Sequence, residues 1–321
     1  ECRAVIAQAT ASGKNVLVSL NALMTEIERV RRHGFTETEL ERAKEQLMSN
    51  MTSYYNSRNT TPTTQRSREL IRHVTTEEQV PGVEHEYEIF QHYVPKITAS
   101  EVSGLVKAEL KDDNRVFTIS VPEGNGYIKP TEKQVRGLLT AVLSKDIAAY
   151  VDDVPMEPLM ASAPSPGSIT KTETIDAIGA RQLALSTGAT VYLKKTDFSD
   201  DEILFNSYSW GGQSLGNEAD HYTLSNASQI IDGSGLAQFG PSDLQKVLAG
   251  TSLGISPYIG MESHGLRGQT SPKDLKTFME LLHLYFTSPR IDNDAVASWK
   301  TRMNAMLAQR DKNAQAALID T

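Results

Sequence analysis

The chain has 321 residues, which is long for a single hydrophobic core and predicts two domains. Apolar residues make up 39% and charged residues 22%, as in ordinary globular proteins, and the absence of any run of about 18 apolar residues predicts no membrane span. The net charge of −8, with scattered basic residues, argues against a nucleic-acid surface. Cys2 is the one cysteine, so no disulfide can form within the chain.

The N-terminal part of the chain predicts mainly helices. Residues 2–11 have the alternation of a strand, and a helix follows because apolar residues recur at spacings of four, three, four and three: Val16, Leu20, Leu23, Ile27 and Val30. Gly34 ends this helix, and the capping-box pair Thr36 and Glu39 begins a second helix, antiparallel to the first. Further along the chain, the pattern predicts helices at 63–73, 101–110 and 131–150 and a strand at 115–121.

A stretch rich in proline and small residues then marks a linker between domains: Pro155, Pro158, Pro164, Pro166 and Gly167. Beyond it, Ser186-Thr187-Gly188 predicts a hairpin turn between two strands. Ser271 to Asp274 has the residues of a helix start. The remaining elements predicted in this half are strands at 181–185, 189–195, 203–210 and 253–262 and helices at 224–231 and 241–249. Strands with helices on one side predict an α+β fold.

Two distant segments, residues 35–44 and 291–300, share one pattern. Each has a large apolar residue, a helix N-cap, an acidic first turn, and then an apolar residue and a lysine at matching offsets. A long-period repeat of this kind indicates duplicated domains, although any two capped helices look somewhat alike. The chain also opens inside an apolar run and closes inside a helical pattern. These ends predict a fragment of a longer polypeptide, and a processed natural chain is the alternative.

Zinc peptidases place two histidines four residues apart on one helical turn, with a glutamate as base. No two of the histidines here are four apart, so neither His-Glu-x-x-His nor its inverse is present in this chain. His85, Glu88 and His92 share a predicted helix face, which indicates a solvated surface, with a metal site as the alternative.

Two glycine-containing segments are also candidates for a site. Residues 212–216 read Gly-x-Ser-x-Gly, the pattern of a nucleophile elbow with Ser214 as nucleophile, but the immediate helix and the parallel sheet that this motif needs are not predicted. Gly233-Ser234-Gly235 is similar to a phosphate-binding loop only loosely, because its glycine and lysine spacing fits neither nucleotide fingerprint. A tight turn at a helix end is the interpretation that the segment favours.

Several segments together form an ordered set along the chain: 34–44, 86–88, 95–102, 183–193, 234–236, 248–250 and 284–292. This set resembles the insulinase/pitrilysin family of inverted-zincin metallopeptidases, and most of all its large bacterial members. The resemblance implies a parent of four related α+β domains that form two halves around an enclosed, peptide-degrading chamber. It places three units on this chain: most of a second domain at 1–128, a helix and the Pro-rich linker at 129–167, and most of a third, degenerate domain at 168–321.

The family's zinc motif, His-x-x-Glu-His, and its zinc belong to a first domain that this chain lacks. The counterpart in the third domain is expected at Asn226, Gln229 and Ile230, in the places of His, Glu and His. Amides are poor zinc ligands and isoleucine is none, so the resemblance implies no catalytic, cofactor-binding or metal residue here. Asp220 and Glu262 are the acidic residues expected to face the chamber.

The implied function is that of a non-catalytic middle segment of a zinc-dependent endopeptidase. Whether the parent is an enzyme stays open, because the alternative is a fragment of an inactive structural or partner-binding relative of the same fold. The implied partners are the remaining domains of the parent chain and a peptide substrate. A periplasmic or otherwise exported location follows from the resemblance alone.

Overall fold

The computed structural model describes residues 5–9, 15–111, 113–121, 128–153 and 157–310. The described part of the N-terminal half is helical, with α1 Val16–His33, α2 Glu37–Asn56, α3 Thr63–Thr76, α4 Val83–Tyr93, α5 Ala99–Glu109 and α6 Glu132–Ser144. The C-terminal half adds the helices α7 His221–Asp232, α8 Pro241–Val247, α9 Leu275–Thr287 and α10 Asn293–Arg310. The helices of the first half are thus followed by strands and helices in the second.

Both sheets of the described residues lie in the C-terminal half and are antiparallel. The first sheet is a meander of β1 Ile169–Ile175, β2 Ala180–Leu185 and β3 Thr190–Lys194. The second contains β4 Ile203–Asn206, β5 Ser209–Trp210, β6 Leu253–Ile259 and β7 Ser263–Thr270. Strand β7 is its centre, because β6 pairs with one edge of β7 while β4 and β5 pair with the other. The predicted α+β class is confirmed.

Local capping fixes where α2 begins. The Thr36 hydroxyl accepts a hydrogen bond from the Glu39 backbone N–H (3.2 Å), and the Glu39 carboxylate accepts one from the Thr36 N–H (2.8 Å). This reciprocal pair satisfies two donors that a helix start otherwise leaves open. The same arrangement opens α5 and α6, with Thr98 paired to Glu101 and Thr131 paired to Gln134.

The repeated pattern at 291–300 also forms a capped helix. The Asp292 carboxylate oxygen Oδ1 accepts hydrogen bonds from the N–H groups of Asp294 and Ala295, both at 3.0 Å. The two copies differ in their surroundings, since α2 packs against α4 whereas α10 packs against α7. The predicted caps are therefore present in both copies, and duplication of whole domains stays a prediction.

The principal core lies in the C-terminal half. Leu236, Phe239 and Leu281 are almost completely buried, and Leu284 of α9 packs with them. Leu159 joins this cluster from the Pro-rich stretch, so part of the predicted linker is held in the C-terminal core. Burying an apolar side chain of this size contributes about 1.5–3 kcal/mol, which opposes a freely moving linker.

Helix α9 packs on one face of the second sheet. The Phe278 ring meets Phe205 of β4 edge to face, with ring centroids 5.4 Å apart. A Cβ atom at Gly268 of β7 would lie 2.8 Å from Phe278. Glycine at 268 therefore leaves the room in which this aromatic side chain packs.

A buried carboxylate connects the two halves. Asp152, whose side chain is 2% exposed, accepts hydrogen bonds at Oδ2 from Thr38 and Arg42 of α2, both at 2.6 Å. Its Oδ1 lies 3.2 Å from Nζ of Lys246 on α8. The hydrogen bond from the Arg42 guanidinium, with those from Thr38 and Lys246, holds the pKa of Asp152 well below its ordinary value of 3.8. We call this cluster the Asp152 clamp.

Several sequence-based predictions of strands were wrong. Residues 5–9 and 115–121 form no strand in the described part of the chain, and residues 2–4 and 10–11 lie outside it. Alternation alone does not make a strand, because each strand needs a hydrogen-bonded neighbour. The strand predicted at 203–210 is divided at Ser207, whose hydroxyl accepts the Leu266 N–H (2.7 Å) in place of a backbone carbonyl.

Other boundaries also differ from the prediction. Helix α6 ends at Ser144 rather than near 150, and α9 begins at Leu275 because Ser271 and Asp274 form a turn first. Strand β7 was missed because the segment predicted as one strand at 253–262 turns back at Gly260, whose N–H donates to the Ser263 carbonyl (2.8 Å). Strand β1 was also missed. The predicted hairpin is confirmed, and so are the helices predicted at 63–73, 224–231 and 241–249, which the structure has at Thr63–Thr76, His221–Asp232 and Pro241–Val247.

We expect Asp152→Asn to destabilise the chain by about 2–4 kcal/mol at neutral pH, because Arg42 and Lys246 would remain close together without a counter-charge. The native pKa of Asp152 is lowered, so its stabilising effect is complete above about pH 5 and declines as the pH falls through 3.8. Urea unfolding should therefore show a difference between wild type and variant that shrinks as the pH is lowered. Asp153→Asn, at the exposed neighbouring residue, is the matched control; equal effects of both substitutions would contradict a specific clamp.

Candidate functional site

Helix α7 carries the three residues predicted to be a degenerate metal motif. A short 3-10 turn leads into it, where the Asn217 side chain accepts hydrogen bonds from the N–H groups of Ala219 and Asp220. At its other end the fully buried Ser234 donates its hydroxyl to the Ile230 carbonyl (2.6 Å). The helix packs against β6 and α10. The Gly233–Gly235 segment is thus a tight turn at a helix end, as predicted.

The chemistry of the three motif residues does not suit a metal ion. The Asn226 amide donates to the Tyr222 carbonyl of its own helix (2.8 Å). The Gln229 amide oxygen accepts a hydrogen bond from the indole N–H of Trp299 on α10 (3.3 Å). Ile230 brings no ligand atom, and amides bind zinc poorly beside imidazole or carboxylate. Their correspondence to the family motif stays a prediction.

The Gln229–Trp299 contact shows that α10 reaches over the motif helix. Sequence reasoning did not find Trp299, because the two side chains are far apart along the chain and a hydrogen bond between them leaves no local pattern. Within the described ranges, no group of three or more His, Cys, Asp and Glu residues is placed to hold a metal ion.

The three residues of α4 that share a helix face lie on the exposed surface. His85 Nδ1 is 3.4 Å from the Glu88 carboxylate, and the Lys96 ammonium lies 2.7 Å from Nε2 of His92. A cation beside one candidate ligand opposes metal binding there. The structure thus favours the predicted solvated face over a metal site.

Ser214 does not have the surroundings of a catalytic nucleophile. It lies in a 3-10 turn, where its hydroxyl donates to the Gly211 carbonyl (2.6 Å) and its N–H donates to the Met261 carbonyl (3.0 Å). Nδ1 of nearby His264 accepts the N–H of Gly212 (3.1 Å) and not the serine hydroxyl. A nucleophilic serine needs a base within hydrogen-bond reach, so the turn is structural.

The two acidic residues expected to face a chamber lie near this turn. Asp220 borders a cleft of about 340 Å³ that also includes His264 and Leu224. Glu262 is exposed, and its backbone carbonyl accepts the Gly211 N–H (2.7 Å). Whether either residue faces a chamber in the parent stays a prediction.

Two larger clefts lie between α2 and the C-terminal half. The first, of about 510 Å³, is polar: Ser53 of α2 donates to the Asp201 carboxylate (3.0 Å), and the buried Asp274 accepts from the Ser252 N–H (2.8 Å). The second, of about 760 Å³, lies between α2 and the uncovered face of the second sheet. Both were missed from the sequence, because they form where segments distant along the chain meet.

No family model matches the chain, but individual relatives do. It is 31% identical over 223 residues to a protein of Arabidopsis thaliana named zinc protease PQQL-like, a match over 70% of this chain and 23% of that protein. It is 20% identical over 298 residues to the probable zinc protease PqqL of Haemophilus influenzae, over 92% of this chain and 32% of the relative. Both relatives are zinc proteases by name, and the predicted resemblance to the insulinase/pitrilysin family of zinc proteases is confirmed over the part of their length that this chain matches.

A solved structure has a similar fold. The ferredoxin protease FusC, determined as a mutant in complex with Arabidopsis ferredoxin, superposes with a TM-score of 0.55 at 17% identity, covering 96% of this chain and 34% of that protein. The chain therefore spans about a quarter to a third of the length of the two relatives and of this solved protein. Among the helices that the structure describes, none is long and apolar enough to cross a membrane.

We expect neither the wild-type chain nor the Ser214→Ala variant to hydrolyse an ester faster than buffer alone does, because the serine lies in a turn rather than beside a base. The variant should lose about 1 kcal/mol or less of stability with the hydroxyl's hydrogen bond. Hydrolysis of a p-nitrophenyl ester, followed beside urea unfolding, measures both. A serine-dependent burst of product would restore the hydrolase hypothesis.

Proposed function

We propose that this chain is the non-catalytic middle segment of a zinc-dependent endopeptidase that degrades peptides in an enclosed chamber. The observation that carries the proposal is the 31% identity to a zinc protease in a chain whose motif positions hold Asn226, Gln229 and Ile230. Zinc belongs to the family, and in the parent it would be bound by a first domain outside this chain. Peptide bonds would be cleaved there and not on α7.

The role of the segment would be to place the parts of the chamber relative to one another. Residues 1–128 and 168–321 would form most of the second and third domains, with 129–167 between them. The Asp152 clamp and the docking of Leu159 into the C-terminal core support such a role, because both oppose free movement of the linker. The remaining domains of the parent and a peptide substrate would be its partners, in the periplasm or another exported compartment.

The first test is to compare zinc and activity in the parent and in this chain. We expect one zinc per molecule in the full-length parent and none in the 321-residue chain, with peptide cleavage by the parent alone and its loss on chelation. Metal analysis after gel filtration and cleavage of a quenched fluorescent peptide measure both. A metal-free, inactive full-length parent would instead favour a structural or partner-binding relative of the same fold.

The second test asks whether α7 corresponds to the zinc helix of the family. Asn226→His and Ile230→His place two imidazoles four residues apart, and Trp299→Glu adds a carboxylate where α10 already reaches Gln229. We expect the triple variant to bind one zinc per chain, with affinity in the micromolar range or tighter, by isothermal titration. The control variant has the second histidine at position 231 instead of 230. It combines Asn226→His, Ile231→His and Trp299→Glu, so that its imidazoles are five positions apart. Equal zinc binding by both triple variants would contradict the correspondence.

A further inference from the structure

The second sheet has one face covered by α9 and one face open to the larger cleft. Antiparallel pairing places Asn206, Arg267 and Ser256 in one row across the sheet and Leu204, Gln269 and Gly254 in the next. The alternation of a strand directs these side chains away from the α9 face. They form the floor of the cleft of about 760 Å³, whose other wall includes Gln46 and Asn50 of α2. This volume is within the range of ligand-binding pockets.

Arg267 is held on an aromatic platform at the edge of this floor. Its guanidinium carbon lies 4.1 Å from the centre of the Tyr258 ring, and the Tyr258 hydroxyl donates to the Ser207 carbonyl (2.9 Å), which fixes the ring. A stacked guanidinium keeps its N–H donors in its own plane, where they can form two parallel hydrogen bonds to a carboxylate. The residue is exposed, so these donors face the cleft without a large desolvation cost.

The charge of the lining favours an anion. Arg267 is the one charged residue among the described residues that line this cleft, although the whole chain has a net charge of −8. The remaining polar lining is mostly amide and hydroxyl: Asn206 and Gln269 lie on the floor, and on α2 the Gln46 amide donates to the Asn50 side chain (2.9 Å). Amide side chains both donate and accept, as an extended peptide backbone requires. Leu204, which is 74% exposed, adds an apolar contact on the same floor.

We propose that this cleft binds an extended peptide through a carboxylate of that peptide, with Arg267 as the anchor and the amide side chains as partners of the peptide backbone. The inference rests on the proposed function in one respect, namely that the occupant is a substrate of the parent. An acidic side chain or a free C-terminal carboxylate provides the same bidentate acceptor. An uncharged peptide would gain the backbone contacts but not the contact with the guanidinium.

The test measures peptide binding directly and requires neither zinc nor cleavage. The probe is a blocked octapeptide with one leucine and two glutamates, titrated calorimetrically into the 321-residue chain; its partner probe has glutamine in place of both glutamates. We expect the acidic peptide to bind at least about tenfold more tightly than the neutral one, and Arg267→Ala to remove that difference. Arg267→Lys should recover only part of it, because lysine keeps the charge but neither the stack nor the paired donors.

The matched control is Lys276→Ala. Lys276 is an exposed cation on α9, the helix that covers the opposite face of the same sheet, so its loss changes the net charge equally without touching the cleft. Wild-type binding by this variant supports the proposal. Equal binding of the two peptides, no binding of either, or the same loss from Lys276→Ala as from Arg267→Ala would overturn it.

The full-length parent separates this inference from the proposed function. If the parent holds no zinc but binds the acidic peptide in a way that depends on Arg267, the result would contradict the proposed peptidase function and support the peptide site. Binding by the 321-residue chain but not by the parent would mean that another segment of the parent occupies the cleft. That result would overturn the cleft as a substrate site even if the parent cleaves peptides.

Discussion

The buried carboxylate of Asp152 is the interaction on which the relation between the two halves depends. Two basic side chains, Arg42 of α2 and Lys246 of α8, approach it from segments separated by about two hundred residues. Oδ2 of Asp152 is paired with Arg42 and Oδ1 with Lys246, in a site where the Asp152 side chain is 2% exposed. Desolvation opposes the attraction, but the pKa of Asp152 is lowered all the same, so the interaction both fixes the arrangement and stabilises the ionised carboxylate.

The arrangement set by the clamp determines what surrounds α2. One side of α2 packs on α4, while another borders both clefts and approaches Gly250 so closely that a Cβ atom there would lie 2.8 Å from Cβ of Glu45. The amide of Gln46 also accepts the Gly250 N–H (3.3 Å). Both clefts lie between α2 and the C-terminal half, which these contacts and the clamp join.

Local signals in the sequence predicted local structure well. The Thr36–Glu39 box begins α2 because both hydrogen bonds join residues three positions apart, and the same holds for the other capped helices. Strand β7 was missed because its two internal glycines have low strand propensity and its pairing with β6 is decided by tertiary contacts. Spacing could not reveal the Asp152 clamp, the Trp299–Gln229 contact or the stacking of Arg267, since each joins residues that only the fold brings together. The family resemblance, by contrast, came from ordered segments and needed no structure.

Strand β7 shows how one segment carries both the fold and the candidate site. Leu266 and Thr270 are buried on the α9 side, and Gly268 between them leaves room for Phe278. Arg267 and Gln269, on the opposite face, are exposed to the cleft. A substitution on the buried positions must disturb packing and thereby both faces, because interiors are close-packed. A substitution on the exposed positions changes the charge and hydrogen bonding of the cleft while the packing that holds the sheet remains, so the two roles of this strand can be separated by experiment.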